Sequence, residues 1–300
     1  MKLTKITPRG FCKGVVDAWA LCRKVAKENP NREIYLIGWL VHNKNMIEDI
    51  EKLSIKTIDD VHISREEIIN SIDKNKNPIV IFSAHGTNPK VIEYARNIGL
   101  EVYDATCVYV TNVQKLIKEK INNGYQIIYI GVRNHPESNS ILSLHSSIQF
   151  VSDINDIDKI VIDPNNKIFV TNQTTISIYE FYDIVKILKI KYKNIEFKND
   201  ICNAAKERQE AVINMDDTID LLLVVGDKKS NNTNKLCQMG IKKNVETYLV
   251  SNLSDIDYNW FINKKHVGIT SGCSTPTWVT NSIITKLEEY IRGQNGKNNC

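Results

Sequence analysis

The 300-residue chain lacks several features that mark common protein classes. No stretch approaches the roughly 18 consecutive apolar residues of a membrane-spanning helix, so we expect no membrane partner. The net charge is only +4, and Lys and Arg form no continuous stripe, so we expect no nucleic-acid partner. We recognise no signal-peptide pattern at the start of the chain, where the motif Arg9-Gly10-Phe11-Cys12-Lys13-Gly14 begins almost at once.

Cysteine pairs of the CxxC type are also missing, and the seven cysteines are odd in number. Both observations argue against a disulfide framework and a zinc knuckle, so reduced thiols are expected. Hydrophobic residues make up 42% and charged residues 25% of the chain, as in ordinary globular proteins. A chain of this length buries enough surface to fold without disulfides.

Three of the cysteines recur at a fixed period. Cys12, Cys107 and Cys202 are separated by 95 residues each time. Each follows a short extended segment and begins a stretch in which apolar residues have helical spacing. Two apolar strand patterns that end in polar residues follow within each repeat. The period therefore indicates three modules of one kind.

The predicted fold class is α/β, with three similar small modules. Near-continuous apolar strands that alternate with helices favour parallel sheets, and ligands bind beyond the carboxyl ends of such strands. We therefore expect the modules to be arranged with pseudo-threefold symmetry around a central cluster site. The predicted boundaries are 14–105 for the first module, 106–200 for the second, 1–13 with 201–292 for the third, and 293–300 for a disordered tail.

Thiols that meet at one point are expected to bind a metal. Single cysteines at wide spacing suit an iron–sulfur cube better than zinc, which usually takes closely spaced pairs. Each of the three also stands at a predicted helix N-terminus, where the helix dipole favours the thiolate. The other cysteines, Cys22, Cys237, Cys273 and Cys300, have no counterparts in the other repeats.

Polar residues at the predicted strand ends are rich in hydrogen-bond donors and poor in carboxylates. They are His42, His85, His135, Glu137, Thr174, Ser230, Asn232 and Ser274. Such a set suits a small anion such as a phosphate or diphosphate. Glu137 is the one carboxyl group in these turns and is therefore the candidate proton donor.

Several motifs in order resemble the 4-hydroxy-3-methylbut-2-enyl diphosphate reductase family over about residues 3 to 290. They are Gly10-Phe11-Cys12-Lys13-Gly14-Val15, Val41-His42-Asn43, Phe82-Ser83-Ala84-His85-Gly86, Asp104-Ala105-Thr106-Cys107, His135-Pro136-Glu137, Gln173-Thr174-Thr175, Ile201-Cys202-Asn203-Ala204, Arg208-Gln209-Glu210-Ala211-Val212 and Ser274-Thr275-Pro276. The resemblance implies an oxidoreductase at the last step of the non-mevalonate isoprenoid pathway. Its substrate would lose an allylic hydroxyl group with two electrons and two protons, which gives isopentenyl diphosphate, dimethylallyl diphosphate and water.

The resemblance also implies roles for single residues. Cys12, Cys107 and Cys202 would hold a [4Fe–4S] cluster whose open iron binds the substrate hydroxyl. Glu137 would donate a proton, assisted through Thr174. The diphosphate would be bound by His42, His85, His135, Thr174, Ser230, Asn231, Asn232 and Ser274, and His135 would also take part in proton delivery. Ferredoxin or flavodoxin would supply the electrons.

Four positions depart from the family pattern. Asn231 and Asp227 stand where Ser is common, and an acid at 227 would repel phosphate unless it points away. Val108 replaces the Pro that usually follows the second cysteine, which would loosen that turn. Cys273 replaces a common Ala and would be open to oxidation near the cluster.

Three alternatives stay open at this point. Another three-cysteine cluster enzyme, such as quinolinate synthase, would also leave one iron open, although its motifs are not found. An iron–sulfur redox sensor or carrier would not need the histidines and Glu137, and a metal-free sugar-phosphate binding protein would not need the cysteines. The Lys-rich composition fits two locations, a plastid-type organelle (an apicoplast-like stroma) for a mature chain and a bacterial cytoplasm.

Overall fold

The computed structural model describes residues 1–60 and 62–297. Its strands form three four-stranded sheets, in which every strand pair is parallel. Helices connect the strands, as parallel pairing requires. The predicted α/β class with three similar modules is confirmed.

The first sheet lies between Cys12 and Cys107 and has the strand order β3-β2-β4-β5. Its strands are β2 (Ile34–Ile37), β3 (Ile55–Ile58), β4 (Ile79–Phe82) and β5 (Glu101–Asp104). The helices of this stretch are α1 (Lys13–Glu28), α2 (Lys44–Glu51), α3 (Arg65–Ser71) and α4 (Pro89–Asn97).

The second sheet lies between Cys107 and Cys202 and has the order β7-β6-β8-β9. Its strands are β6 (Gln126–Ile130), β7 (Gln149–Val151), β8 (Ile168–Asn172) and β9 (Ile195–Phe197). The helices are α5 (Val108–Asn122), α6 (Pro136–Leu142) and α7 (Ile178–Lys191).

The third sheet joins the start of the chain to its last third and has the order β11-β10-β12-β1. Its strands are β1 (Lys2–Lys5), β10 (Leu221–Val225), β11 (Glu246–Val250) and β12 (His266–Ser271). The helices are α8 (Asn203–Ile213), α9 (Asn231–Lys242) and α10 (Thr277–Lys297).

All three sheets follow one plan. In each sheet, the strand before the cysteine lies at an edge and pairs with a central strand in the equivalent position. The pairs are β5 with β4, β9 with β8, and β1 with β12. Every residue of these central neighbours is buried. Central strands of parallel sheets are covered on both faces, which explains why apolar residues predominate in these three strands.

The chain divides into two compact units. One contains residues 1–13, 42–45 and those from 203 onward, and the other contains residues 14–41 and 46–202. The second unit holds two of the sheets, so the number of units differs from the number of modules. The predicted three-module boundaries therefore stay a prediction.

The last helix, α10, continues to Lys297, where the sequence predicts a disordered tail from residue 293. The remaining tail residues, 298–300, lie outside the described residues. Within the described part of the chain, we find no helix that is both long and apolar enough to cross a membrane.

Candidate active site

The three cysteines of the repeat occupy equivalent places in their modules. Each cysteine donates its backbone N–H to a carbonyl two residues beyond the end of the fully buried strand. The pairs are Cys12 with Cys273 at 3.1 Å, Cys107 with Ala84 at 3.0 Å, and Cys202 with Thr174 at 2.9 Å. This bond fixes each cysteine at the carboxyl end of its own sheet, where parallel sheets bind ligands.

Each of these cysteines also precedes a helix directly. Cys107 is the N-cap residue of α5, and its side chain makes no capping hydrogen bond. Cys12 and Cys202 immediately precede the first residues of α1 and α8. All three side chains have intermediate burial. A half-buried thiol at a helix N-terminus suits a metal-bound thiolate, so this donor set fits an iron–sulfur cluster.

Two cysteines outside the repeat differ from this set. Burial raises the pKa of both the Cys22 thiol and the Cys237 thiol to about 12. A thiol with such a pKa stays protonated near neutral pH and is a poor metal ligand. Cys300 lies outside the described residues.

Glu137 is a buried carboxyl group, with 2% of its surface exposed. It lies in the unit that contains the first and second sheets. It lies in the first turn of α6, and its two oxygens accept hydrogen bonds from Thr174. The backbone N–H donates at 2.7 Å and the hydroxyl group at 2.9 Å. Burial raises the pKa of Glu137 to about 7, although the two hydrogen bonds from Thr174 oppose the rise. The group therefore holds a proton near neutral pH and is able to release it.

His135 is the N-cap residue of α6, and the backbone N–H of Glu137 donates to its Nδ1 at 3.1 Å. An acceptor nitrogen has a free lone pair, so the ring proton of neutral His135 lies on Nε2. The ring of His85 lies edge-on to that of His135, with 5.3 Å between the ring centroids. The structure thus brings four predicted site residues of this unit together: His85, His135, Glu137 and Thr174.

Gln173 supports this arrangement. Its side-chain oxygen accepts from the backbone N–H of Val132 at 2.8 Å and from the Ser138 hydroxyl at 3.3 Å. These bonds tie the turn that carries His135 to the end of β8. The motif that includes Gln173 was visible in the sequence, but its supporting role was not.

The other unit contains the remaining predicted anion-binding residues. Ser230 is the N-cap residue of α9, and its hydroxyl accepts from the backbone N–H of Thr233. The Ser274 hydroxyl lies 3.3 Å from the Ser230 hydroxyl and 3.2 Å from the His42 carbonyl oxygen. His42, Ser230 and Ser274 are therefore neighbours at the N-terminus of a 12-residue helix, where backbone N–H groups favour an anion.

Asn232 lies in the first turn of α9 and is 4% exposed. Neither its side-chain nitrogen nor its oxygen has a hydrogen-bond partner among the described residues. A buried amide without partners costs free energy unless a ligand satisfies it. Asn231, the first residue of α9, is half-buried beside it.

Two of the unusual positions are explained by local structure. The carboxylate of Asp227 accepts from the backbone N–H groups of Lys44 at 3.1 Å and Lys229 at 2.8 Å. The Asp227 carboxylate therefore accepts hydrogen bonds from the local backbone. Val108 is the first residue of α5, and Cys107 before it donates its backbone N–H to Ala84, so the helix start is formed without the Pro.

Arg65 is a supporting residue that the sequence did not reveal. Its guanidinium donates to the Gly86 carbonyl at 3.3 Å and also contacts the Thr87 hydroxyl. Both partners directly follow His85, so Arg65 steadies the turn that carries this histidine. The contact spans more than 20 residues, and no local pattern predicts it.

Comparison with known proteins identifies the family. The family model described as LytB protein matches residues 3–288. The chain belongs to the LytB family. A relative from Malacoplasma penetrans, named 4-hydroxy-3-methylbut-2-enyl diphosphate reductase, is 62% identical over 97% of this chain and 98% of its own length. One of the same name from a Geobacillus species is 42% identical over 97% of this chain and 91% of its own length.

Solved structures of LytB-type reductases agree with this assignment. The E-1-hydroxy-2-methyl-but-2-enyl-4-diphosphate reductase from Plasmodium falciparum is 32% identical, with a TM-score of 0.87 over 95% of this chain and 87% of that chain. A second structure, described as the terminal enzyme of the non-mevalonate pathway, is 28% identical with a TM-score of 0.66, over 96% of this chain and 100% of that chain. The predicted resemblance and the predicted oxidoreductase class are confirmed. LytB proteins are iron–sulfur proteins, so the alternative of a metal-free sugar-phosphate binding protein is not favoured.

Proposed function

We propose that this LytB protein removes the allylic hydroxyl group of (E)-4-hydroxy-3-methylbut-2-enyl diphosphate. Two electrons and two protons enter, the C–O bond breaks, and the products are water with isopentenyl diphosphate or dimethylallyl diphosphate. The observation that carries the proposal is the position of Thr174. Its carbonyl accepts from Cys202, while its N–H and hydroxyl hold Glu137, so one residue joins a proposed metal ligand to a buried proton donor.

The proposed cofactor is a [4Fe–4S] cluster with three cysteine ligands, Cys12, Cys107 and Cys202. Their equivalent hydrogen bonds and their positions at helix starts support this assignment. When bound, such a cluster supplies electrons and a Lewis-acidic iron with an open coordination position. The same three positions and the buried carboxyl group disfavour a simple electron carrier.

The proposed diphosphate ligands are His42, His85, His135, Thr174, Ser230, Asn231, Asn232 and Ser274. The unsatisfied amide of Asn232 and the N-terminus of α9 support an anion there. These donors hold the substrate in one orientation, which lowers the entropy cost of reaching the transition state.

Glu137 is the proposed proton donor. Hydroxide is a poor leaving group, whereas water leaves readily, so a proton must reach the departing oxygen. A carboxyl group with a pKa of about 7 is protonated in a large fraction of molecules at neutral pH. Thr174 keeps the carboxyl group in one orientation, and His135 caps the helix that carries it.

The electron donor in this proposal is a small one-electron carrier such as ferredoxin or flavodoxin. The bacterial relatives favour the bacterial cytoplasm over the plastid-type organelle as the location.

Turnover by protein purified without oxygen tests the proposed function. With a chemical one-electron reductant, we expect conversion of the diphosphate substrate into the two isoprenoid diphosphates. The corresponding free alcohol without its diphosphate is the control and should react far more slowly. Protein that contains iron and sulfide but leaves the diphosphate substrate unchanged would contradict the proposal.

A further inference from the structure

Arg208 is a buried arginine on α8, with 3% of its surface exposed. Its guanidinium donates to the Gly10 carbonyl at 2.7 Å and to the Ala204 carbonyl at 2.8 Å. Gly10 stands two residues before Cys12, and Ala204 stands two residues after Cys202. One side chain therefore joins the segment before Cys12 to the segment after Cys202, and both cysteines are proposed cluster ligands.

The Gly10 end of this bridge is rigid. Gly10 has a φ of +78°, and an added Cβ would lie 2.5 Å from the Thr277 hydroxyl oxygen. Its N–H donates to the Ser271 hydroxyl at 2.9 Å. Ser271 therefore holds the N–H of Gly10 while Arg208 holds its carbonyl, so both polar backbone atoms of this glycine have partners.

Among the residues that the structure describes, no carboxylate forms an ion pair with Arg208. Its two hydrogen bonds go to neutral carbonyl groups, and its Nε has no hydrogen-bond partner among the described residues. Burial of an unpaired cation is costly, so an anion near this position would offset the cost. A cluster with three thiolates is anionic, and each added electron makes it more negative.

We propose that Arg208 is a positioning residue for the iron–sulfur centre. It holds the Cys12 segment through Gly10, and its buried positive charge stabilises the reduced form of the cluster. This inference rests on the proposed cofactor, but it concerns a residue outside the ligand set and outside the substrate contacts.

The midpoint potential of the bound cluster tests the charge, and the iron and sulfide content tests the bridge. Arg208→Gln removes the charge, so we expect a shift of the midpoint potential to more negative values and a partial loss of iron and sulfide. Arg208→Lys keeps the charge but cannot reach both carbonyls in the same planar geometry. We expect this variant to keep the parent potential while it also loses part of its iron and sulfide.

Lys243→Gln is the matched control. Lys243 donates to the carbonyl of Ile213, at the opposite end of the same helix, at 2.8 Å. This control removes the same charge far from the cysteine segments and should leave both readouts at parent values.

Equal potentials for Arg208→Gln and the parent would overturn the inference, as would a shift in Arg208→Lys as large as that in Arg208→Gln. If Arg208→Gln retains no cluster, Arg208→Lys decides between the outcomes. Iron and sulfide at the parent level in Arg208→Lys would overturn the role of Arg208 in holding the Cys12 segment. A reduced iron and sulfide content with the parent midpoint potential would support both the holding role and the charge effect. A parent protein without iron and sulfide would instead overturn the proposed cofactor itself.

Discussion

At the scale of single residues, the pair of Glu137 and Thr174 carries the proposed chemistry. Burial disfavours the carboxylate of Glu137, whereas the two hydrogen bonds from Thr174 favour it. Burial has the larger effect, and the pKa rises from its usual value of 4.5 to about 7. A carboxyl group in ordinary solvent would be almost fully ionised at neutral pH and would donate no proton.

Replacement of Glu137 by Gln tests the proton donor. The amide has nearly the same shape but no transferable acid proton, so turnover should fall by about 10²–10⁴-fold. Iron content and substrate affinity should stay near the parent values, as measured by metal analysis and equilibrium binding. Glu210→Gln, on a half-exposed side chain of α8, is the control and should have no effect. Near-parent turnover in Glu137→Gln would remove Glu137 from the donor role.

The pH dependence gives a second test at this scale. The protonated form is the active one, so kcat should decline as pH rises through about 7, the pKa of Glu137. Thr174→Val removes the hydroxyl that stabilises the carboxylate, so the pKa of Glu137 should rise further and the decline should move to higher pH. Thr174→Ser keeps the hydroxyl and should keep the parent profile. A profile that does not move in the valine variant would contradict the assignment.

At the scale of secondary structure, helix starts carry the proposed cluster ligands and one proposed diphosphate ligand. The proposed cluster ligands precede three helices, and Ser230 caps a fourth. Ser230 has two separable roles, because its hydroxyl caps α9 and is also a proposed diphosphate ligand. The two roles respond differently to substitution.

Ser230→Ala should lower the free energy of unfolding by about 0.5–2 kcal/mol, the usual cost of a lost N-cap, and should raise KM. Ser230→Asp keeps a good cap but places a negative charge beside the diphosphate, so stability should hold while KM rises more strongly. Denaturant unfolding and steady-state kinetics measure the two effects. Ser64→Ala removes the cap of α3 and is the control for stability without an effect on KM. An unchanged KM in Ser230→Asp would exclude Ser230 from the anion site.

Local patterns predicted these elements well. The helical spacing from Gly14 to Lys27 corresponds to α1, and the apolar run at Leu221–Val225 is β10. Apolar periodicity and strand burial are local properties, so a single sequence reveals them. The helix α10 continues to Lys297, into the stretch for which polar composition predicts a disordered tail, because polar composition alone does not end a helix.

At the scale of the whole molecule, the 95-residue period predicts three similar modules, and the structure shows that their three sheets share one strand order. The recurring bond from each cysteine N–H to the end of its own central strand gives that period a structural basis. Contacts across long sequence separations were not predictable. Arg208 meets Gly10 across 198 residues, and arginine is a residue type usually expected at the surface. The supporting contacts of Arg65 and Gln173 also join residues that are more than 20 positions apart, so local patterns do not predict them.

The most direct test of the three-cysteine centre is the iron and acid-labile sulfide content of single cysteine variants prepared without oxygen. The parent should hold about four irons and four sulfides per chain. Cys12→Ser, Cys107→Ser and Cys202→Ser should each lose most of both, whereas Cys237→Ser should keep them. A full complement of iron and sulfide in any of the first three variants would contradict the account.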